Sequence, residues 1–170
     1  SIVFAPVLST NIILQGKFKD RIESNNMKLV PLGLSKAGIE ESTISISVGD
    51  YGAFSTLKVP YKIALDYPKI NFLGMEHIKL VTLDKFMVMK DLSYDFIILN
   101  TNGSEYDILK DSQKTLNNID FLYINSYKEP YFKNMVLQDE LNSFLEGLGF
   151  RLEFTNWQND NWGKSFYTKG

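Results

Sequence analysis

The run Phe96-Ile-Ile-Leu99 holds no polar side chain, and Asn100-Thr-Asn-Gly103 turns the chain directly after it. A short apolar run without alternation is the pattern of a parallel strand covered on both faces. Parallel neighbours need a crossover, usually a helix, so a strand of this kind points to an α/β architecture. The next segment agrees with it. Ser104 stands where a helix cap would, and Ile108, Leu109 and Leu116 mark the inward side of a helix running to about Leu116.

Short apolar runs and amphipathic segments alternate along the rest of the chain. Ile2 to Ala5 reads as a short strand stopped by Pro6. Ser9 or Thr10 then caps a helix with Ile13, Leu14, Phe18 and Ile22 near one face, and Lys28 to Leu32 is the next buried strand. Thr43 to Val48 alternates strictly. Ala53 to Val59 can pair with it across Gly49-Asp-Tyr-Gly52, which predicts a β-hairpin insertion near 42–59. Pro60 to Met75 reads as a loop-rich stretch, and Lys79 to Leu83 as a strand. Phe121 to Asn125 is a further strand. Leu137, Leu141, Phe144, Leu145 and Leu148 make an amphipathic helix ended by Gly149. Arg151 to Thr155 and Lys164 to Thr168 close the pattern as two strands. With 170 residues and no internal repeat, one domain over 1–170 is expected.

Composition narrows the chemistry. Cysteine is absent, which removes thiol nucleophiles, disulfides and Cys-ligated zinc, and the single histidine, His77, cannot make a multi-histidine metal site. No metal is therefore expected. The net charge is −2 with neither sign gathered in one half, so no nucleic acid is expected as a partner. No stretch approaches the ~18–20 apolar residues of a membrane span. The start Ser1 to Leu8 has no basic segment ahead of a long apolar one, so no signal peptide is read and a cytoplasmic location is expected. The Asn-, Lys- and Ile-rich usage fits an AT-rich genome and is compatible with a bacterial, viral or phage assembly.

The segment Asp95-Phe-Ile-Ile-Leu-Asn-Thr-Asn-Gly-Ser-Glu-Tyr-Asp-Ile-Leu-Lys110 resembles the central motif of the FkbM family of S-adenosylmethionine-dependent methyltransferases. Further pieces follow in family order. Phe4-Ala5-Pro6 is similar to its F-E-P step, Pro31-Leu-Gly-Leu-Ser-Lys36 to its A-L-S segment, and Val81-Thr-Leu-Asp84 to its T-L-D step. Gly147-Leu-Gly-Phe150 and Asn161-Trp-Gly-Lys-Ser-Phe-Tyr167 resemble its closing elements. The resemblance implies a Rossmann-like class I methyltransferase sheet of seven strands, the last antiparallel, with helices on both faces. Ligands of such sheets bind beyond the carboxyl ends of the strands.

The same comparison implies losses. Residue 1 falls at the start of the family's second strand, so the first strand and its Gly-rich cofactor turn have no counterpart. Either an upstream segment has been removed or the architecture is rebuilt. Ala5 stands where the family binds the cofactor ribose through a glutamate, and a methyl group accepts no hydrogen bond. Asn100 and Asn125 replace the carboxylates that end the fourth and fifth strands, and an amide is no general base. Asn102 replaces a Glu or Gln, while Gly103 and Glu105 are retained.

Each position also has a plainer reading. Asn100, Asn102 and Glu105 suit a strand-to-helix turn, where Asn tolerates unusual φ/ψ and an acid favours the first helical turn. His77 reads as a surface loop residue with only Glu76 near it. Gly49 to Ser55 reads as a hairpin rather than a phosphate cradle. Tyr123, Tyr127, Tyr131, Phe132, Trp157 and Trp162 read as core before ligand surface. Asp107, Lys110, Asp111 and Lys114 read as a solvated helix face.

Two functions are carried forward. One is a methyltransferase-fold protein that is catalytically silent, binds no cofactor by itself, and serves as a structural or interaction subunit with protein partners or as a homo-oligomer. The alternative is a fragment of an active enzyme that uses S-adenosylmethionine to methylate sugar or small-metabolite hydroxyls.

Overall fold

A computed structural model describes residues 1–48 and 52–170. The chain opens with strand β1 (Ile2–Phe4), ended by Pro6, and continues into helices α1 (Leu8–Lys17) and α2 (Lys19–Glu23). Strand β2 (Lys28–Val30) returns parallel to β1, with Ile2 opposite Lys28 and Phe4 opposite Val30. Strands β3 (Gly33–Leu34) and β4 (Glu41–Val48) follow, then the short helix α3 (Ile63–Asp66) and the long strand β5 (Asn71–Val81). β5 is central to its own three-stranded sheet, with β3 parallel on one edge and β4 antiparallel on the other.

Helix α4 (Leu83–Lys90) is capped by the Thr82 hydroxyl, which accepts from the Lys85 N–H. Then come β6 (Phe96–Leu99), α5 (Glu105–Lys110), α6 (Gln113–Leu116), β7 (Phe121–Tyr127), α7 (Gln138–Glu146), β8 (Phe150–Trp157) and β9 (Trp162–Lys169). These strands form the principal sheet in the order β6-β7-β9-β8. β6 and β7 are parallel, and β9 runs antiparallel to both of its neighbours.

Period-two geometry decides what each strand face does. Leu99, Leu122, Ile124 and Tyr167 turn to one side and bury against Ile108, Leu109, Leu116, Leu141 and Leu145 of α5, α6 and α7. Phe4, Val81 and Ile97 pack against this same core, so β1 and β5 are tied to the principal sheet through side chains. Phe96, Ile98, Phe121 and Phe154 turn the other way and stay exposed. The rings of Phe121 and Phe166 stack there at 6.1 Å.

Several expectations are corrected. The alternating segment over 43–48 does not form a hairpin with 53–59. It pairs with β5, and the later segment meets it through the bridge between Ser45 and Thr56 and through hydrogen bonds of Ser47 with Phe54 and Ser55. The predicted turn at Gly49, Asp50 and Tyr51 lies outside the described residues. The loop-rich reading of 60–75 missed α3 and the first turns of β5, because Gly74 sits within the strand opposite Ile46 without breaking it. The two long helices predicted over 9–22 and 104–116 are each broken in two, at Phe18 and at Asp111-Ser112. Helices cover one face of the principal sheet, and none among the described residues buries the Phe96, Ile98, Phe121 and Phe154 face.

Among the described residues no single sheet runs through the molecule. β1 and β6 each end their sheets, and a cavity of about 810 Å³ is lined by Ile2–Ala5, by Phe96–Asn102, and by Leu83, Phe86 and Met87 of α4. No helix among the described residues is long and apolar enough to cross a membrane.

This division of faces has a measurable consequence. Leu122 is fully buried, so Leu122→Ala should cost about 2–5 kcal/mol in urea denaturation. Leu73, on the exposed part of β5, should tolerate the same change within about 0.5 kcal/mol.

Candidate functional site

The carboxyl ends of β6 and β7 gather the positions that the sequence singles out. Asn100 follows β6 directly, and Asn125 lies inside β7 with its side chain fully buried. Asn125 Nδ2 donates to Asn100 Oδ1 at 2.7 Å and to the Tyr127 hydroxyl at 3.3 Å. Two amides and a phenol therefore occupy the two strand ends. Asn125 Oδ1, Thr101 Oγ1 and Ser126 Oγ are buried without a hydrogen-bond partner among the described residues.

The turn after β6 is built from left-handed backbone. Asn102 has φ 51° and Gly103 φ 96°. Asn is one of the few side chains that enters this region at modest cost, and at Gly103 a Cβ would also lie 3.2 Å from Phe132. Glu105 holds the turn closed. Its Oε1 accepts from Thr101 N at 2.9 Å and its Oε2 from Gly103 N at 2.8 Å, so both carboxylate oxygens serve the backbone of their own loop. Burial raises the Glu105 carboxyl above the usual carboxylate range, against the lowering effect of these backbone N–H groups. Burial likewise pushes the Tyr127 phenol well up, and the Glu105 charge adds to it.

The side chain of Asn102 points out of the turn and fastens a distant segment to it. Nδ2 donates to the Ala53 carbonyl at 2.8 Å and to the Ser55 carbonyl at 3.0 Å, while the Asn102 carbonyl accepts from Thr56 Oγ1 at 2.7 Å. Lys58 completes the attachment. Its Nζ lies 2.5 Å from Asp107 Oδ2 and 3.1 Å from the Asn134 carbonyl. The segment 53–58 thus sits on the carboxyl end of β6, where an open α/β sheet would receive a ligand. Nothing in the sequence marked Thr56 or Lys58, because their partners lie more than forty residues away.

The remaining candidates fall elsewhere. Ala5 is buried at the end of β1, with its carbonyl accepting from Asn11 Nδ2 at 3.2 Å and its N–H donating to the Val30 carbonyl. Its methyl group borders the cavity and offers no acceptor. His77 is not in a loop. It lies within β5 opposite Thr43, exposed, with Nε2 3.2 Å from Glu41 Oε2 rather than beside Glu76. Lys110 and Lys114 are exposed as a solvated face would be, while the half-buried Asp107 pairs with Lys58 and the half-buried Asp111 accepts from the Ala37 N–H at 2.8 Å.

Tyr127, Tyr131 and Phe132 are core, packed with Ile63 and partly covered by Tyr67 and Trp162. Trp162 Nε1 donates to the Tyr67 hydroxyl at 2.7 Å, and the Tyr131 hydroxyl donates to Asp66 at 2.8 Å. Trp157 carries the Lys128 ammonium over its ring at 4.1 Å. Among the described residues no cluster of His, Asp or Glu could hold a metal ion.

What this arrangement can do chemically is limited. The one carboxylate at the strand ends is committed to two backbone donors, and its neighbours are amides. Comparison with known proteins yields one match: the family model described as the methyltransferase FkbM domain covers residues 17–152. No curated protein and no solved structure matches the chain.

Two measurements examine the turn. Asn102→Gly keeps the left-handed backbone and loses the amide, so it should cost about 1–3 kcal/mol in urea denaturation. Asn102→Ala should add about 1–2 kcal/mol more for the left-handed φ, and equal costs would show that the backbone is not held there. Glu105 sets a pH dependence. A carboxyl raised in the folded state contributes stability below the ordinary carboxylate range and loses that contribution as pH rises through its raised value. Relative to Glu105→Gln, the wild-type chain should therefore lose stability as pH increases across that interval. A difference that stays flat with pH would show the carboxyl to be unshifted.

Proposed function

The chain belongs to the FkbM methyltransferase family, and on that premise we propose that it is a catalytically silent methyltransferase-fold protein acting as an interaction subunit of a larger assembly. The attachment of segment 53–58 to the Asn102 turn carries this reading. The polar groups that the family uses for chemistry at this turn are spent here on holding the chain's own loop. An enzyme of this family would need acceptors for the cofactor ribose and a base for the acceptor hydroxyl.

At the corresponding places stand the Ala5 methyl group, the Asn100–Asn125 amide pair, and a carboxylate whose two oxygens are already taken. These residues do not fit S-adenosylmethionine. The role left to the fold is that of a frame. Its exposed Phe96, Ile98, Phe121 and Phe154 face supports contact with protein, since apolar residues grouped on one surface mark interaction sites.

The alternative is an S-adenosylmethionine-dependent O-methyltransferase acting on sugar or small-metabolite hydroxyls. It draws on the retained Gly103 and Glu105 and on the cavity that reaches Ala5 and Asn100–Asn102. Calorimetric titration of the whole chain with S-adenosylmethionine separates the two. Silence predicts no heat of binding up to millimolar cofactor, whereas micromolar binding overturns it in favour of the enzyme.

A further inference from the structure

Asn102-Gly103 is the one Asn-Gly pair in the sequence. Where such a pair is free to move, the glycine nitrogen can attack the side-chain carbon of the asparagine, because glycine has no Cβ to hinder the approach. The nitrogen gives up its proton, the side-chain amide leaves as ammonia, and a five-membered succinimide closes. Water then opens the ring at one of its two carbonyls, which leaves aspartate or isoaspartate. Asparagine counts among the heat-labile residues of proteins.

The fold holds each reacting group off that path. The Asn102 side chain reaches out of the turn, with Nδ2 donating to the carbonyls of Ala53 and Ser55 at 2.8 and 3.0 Å. The Gly103 N–H donates to Glu105 Oε2 at 2.8 Å, so the attacking nitrogen has its proton engaged elsewhere. Both residues are buried, which keeps out the water of the second step. Much of this hold comes from the segment 53–58. Thr56 Oγ1 donates to the Asn102 carbonyl, and Lys58 pairs with Asp107 on the helix that follows the turn.

We propose that Asn102 is a self-modification site guarded by the segment 53–58: the asparagine persists while the segment is fastened, and converts to aspartate or isoaspartate once it lifts, after which the segment cannot fasten again. The product explains the one-way step. An ionised carboxylate only accepts hydrogen bonds, and here it would face the two carbonyl acceptors of Ala53 and Ser55. It would also place a charge where the side chain of Asn102 is buried. Isoaspartate adds one carbon to the backbone between β6 and α5. The departed ammonia leaves no route back. The segment remains tied to β4 through Ser45 and Thr56, so it comes away from the turn without leaving its own sheet.

The experiment follows the full 170-residue chain at mildly alkaline pH, with peptide mapping by mass spectrometry to locate an amide turned acid. Conversion at residue 102 should run more than about tenfold slower in the folded chain than in the same chain held in urea, since a protected group reacts only through local opening. Thr56→Val and Lys58→Gln each loosen the segment and leave the Asn-Gly pair intact, so each should speed conversion in the folded chain. Lys58→Gln, which touches only the rim of the segment, carries the test if Thr56→Val does not fold. In the converted chain, amide exchange should quicken at Lys58, bonded to Thr56 Oγ1, and at Lys133, bonded to the Val59 carbonyl. The amides of Ile124 and Tyr167 in the principal sheet should keep their protection.

Four results would each overturn the proposal. They are equal rates in the folded and urea-held chains, folded-chain rates that neither variant changes, a converted chain that keeps protection at Lys58 and Lys133, and loss of protection at Ile124 and Tyr167 along with them.

Discussion

Two backbone N–H groups, at Thr101 and Gly103, converge on one buried carboxylate, and the principal sheet depends on that convergence. Without Glu105 the N–H groups of Thr101 and Gly103 would be left unpaired inside the protein, at a cost of about 1–3 kcal/mol each. With it, the chain reverses directly from β6 into α5. Ile108 and Leu109 are then delivered to the core beneath Leu99, Leu122 and Ile124. The same closure aims the Asn102 amide outward, so that one turn sets both the packing below it and the loop above it.

The apolar frame of the principal sheet and the polar groups at its strand ends are built on different terms. Buried apolar residues persist on every strand of the principal sheet, while the strand-end positions hold amides that bond to one another. An amide pair is stable at any ordinary pH because it carries no charge to desolvate, whereas a buried carboxylate must be stabilised by donors. Glu105 is the buried carboxyl among them, and it lies where two peptide donors offset part of the cost of its burial.

How much of this could be read from residues alone varies with the range of the interaction. Phe96–Leu99, the α7 stripe and the β8–β9 pair are legible because their periodicity is local, although α7 closes at Glu146 with Gly147 as its cap, ahead of the Gly149 stop that the sequence suggests. The left-handed tolerance of Asn102 was legible from its type and place. The pairing of 43–48 escapes the sequence because alternation states that a strand is half buried but not which strand lies beside it, and the true partner β5 contains Gly74 and is separated from β4 by residues 49–70. Breaks at Phe18 and Asp111 were hidden for a related reason: each half-helix continues the apolar spacing of the other. The loop that Asn102 and Lys58 hold down could not be found, since a carbonyl acceptor leaves no trace in residue type.

The separation into three sheets bears on how the molecule comes apart. A continuous sheet transmits rupture along its ladder, so its strands tend to be lost together. β1 reaches the principal sheet through side chains, Phe4 packing against the core that holds Leu99, Leu122 and Ile124, and among the described residues no ladder joins the two. β1 and its partner β2 can therefore open while β6-β7-β9-β8 stays intact.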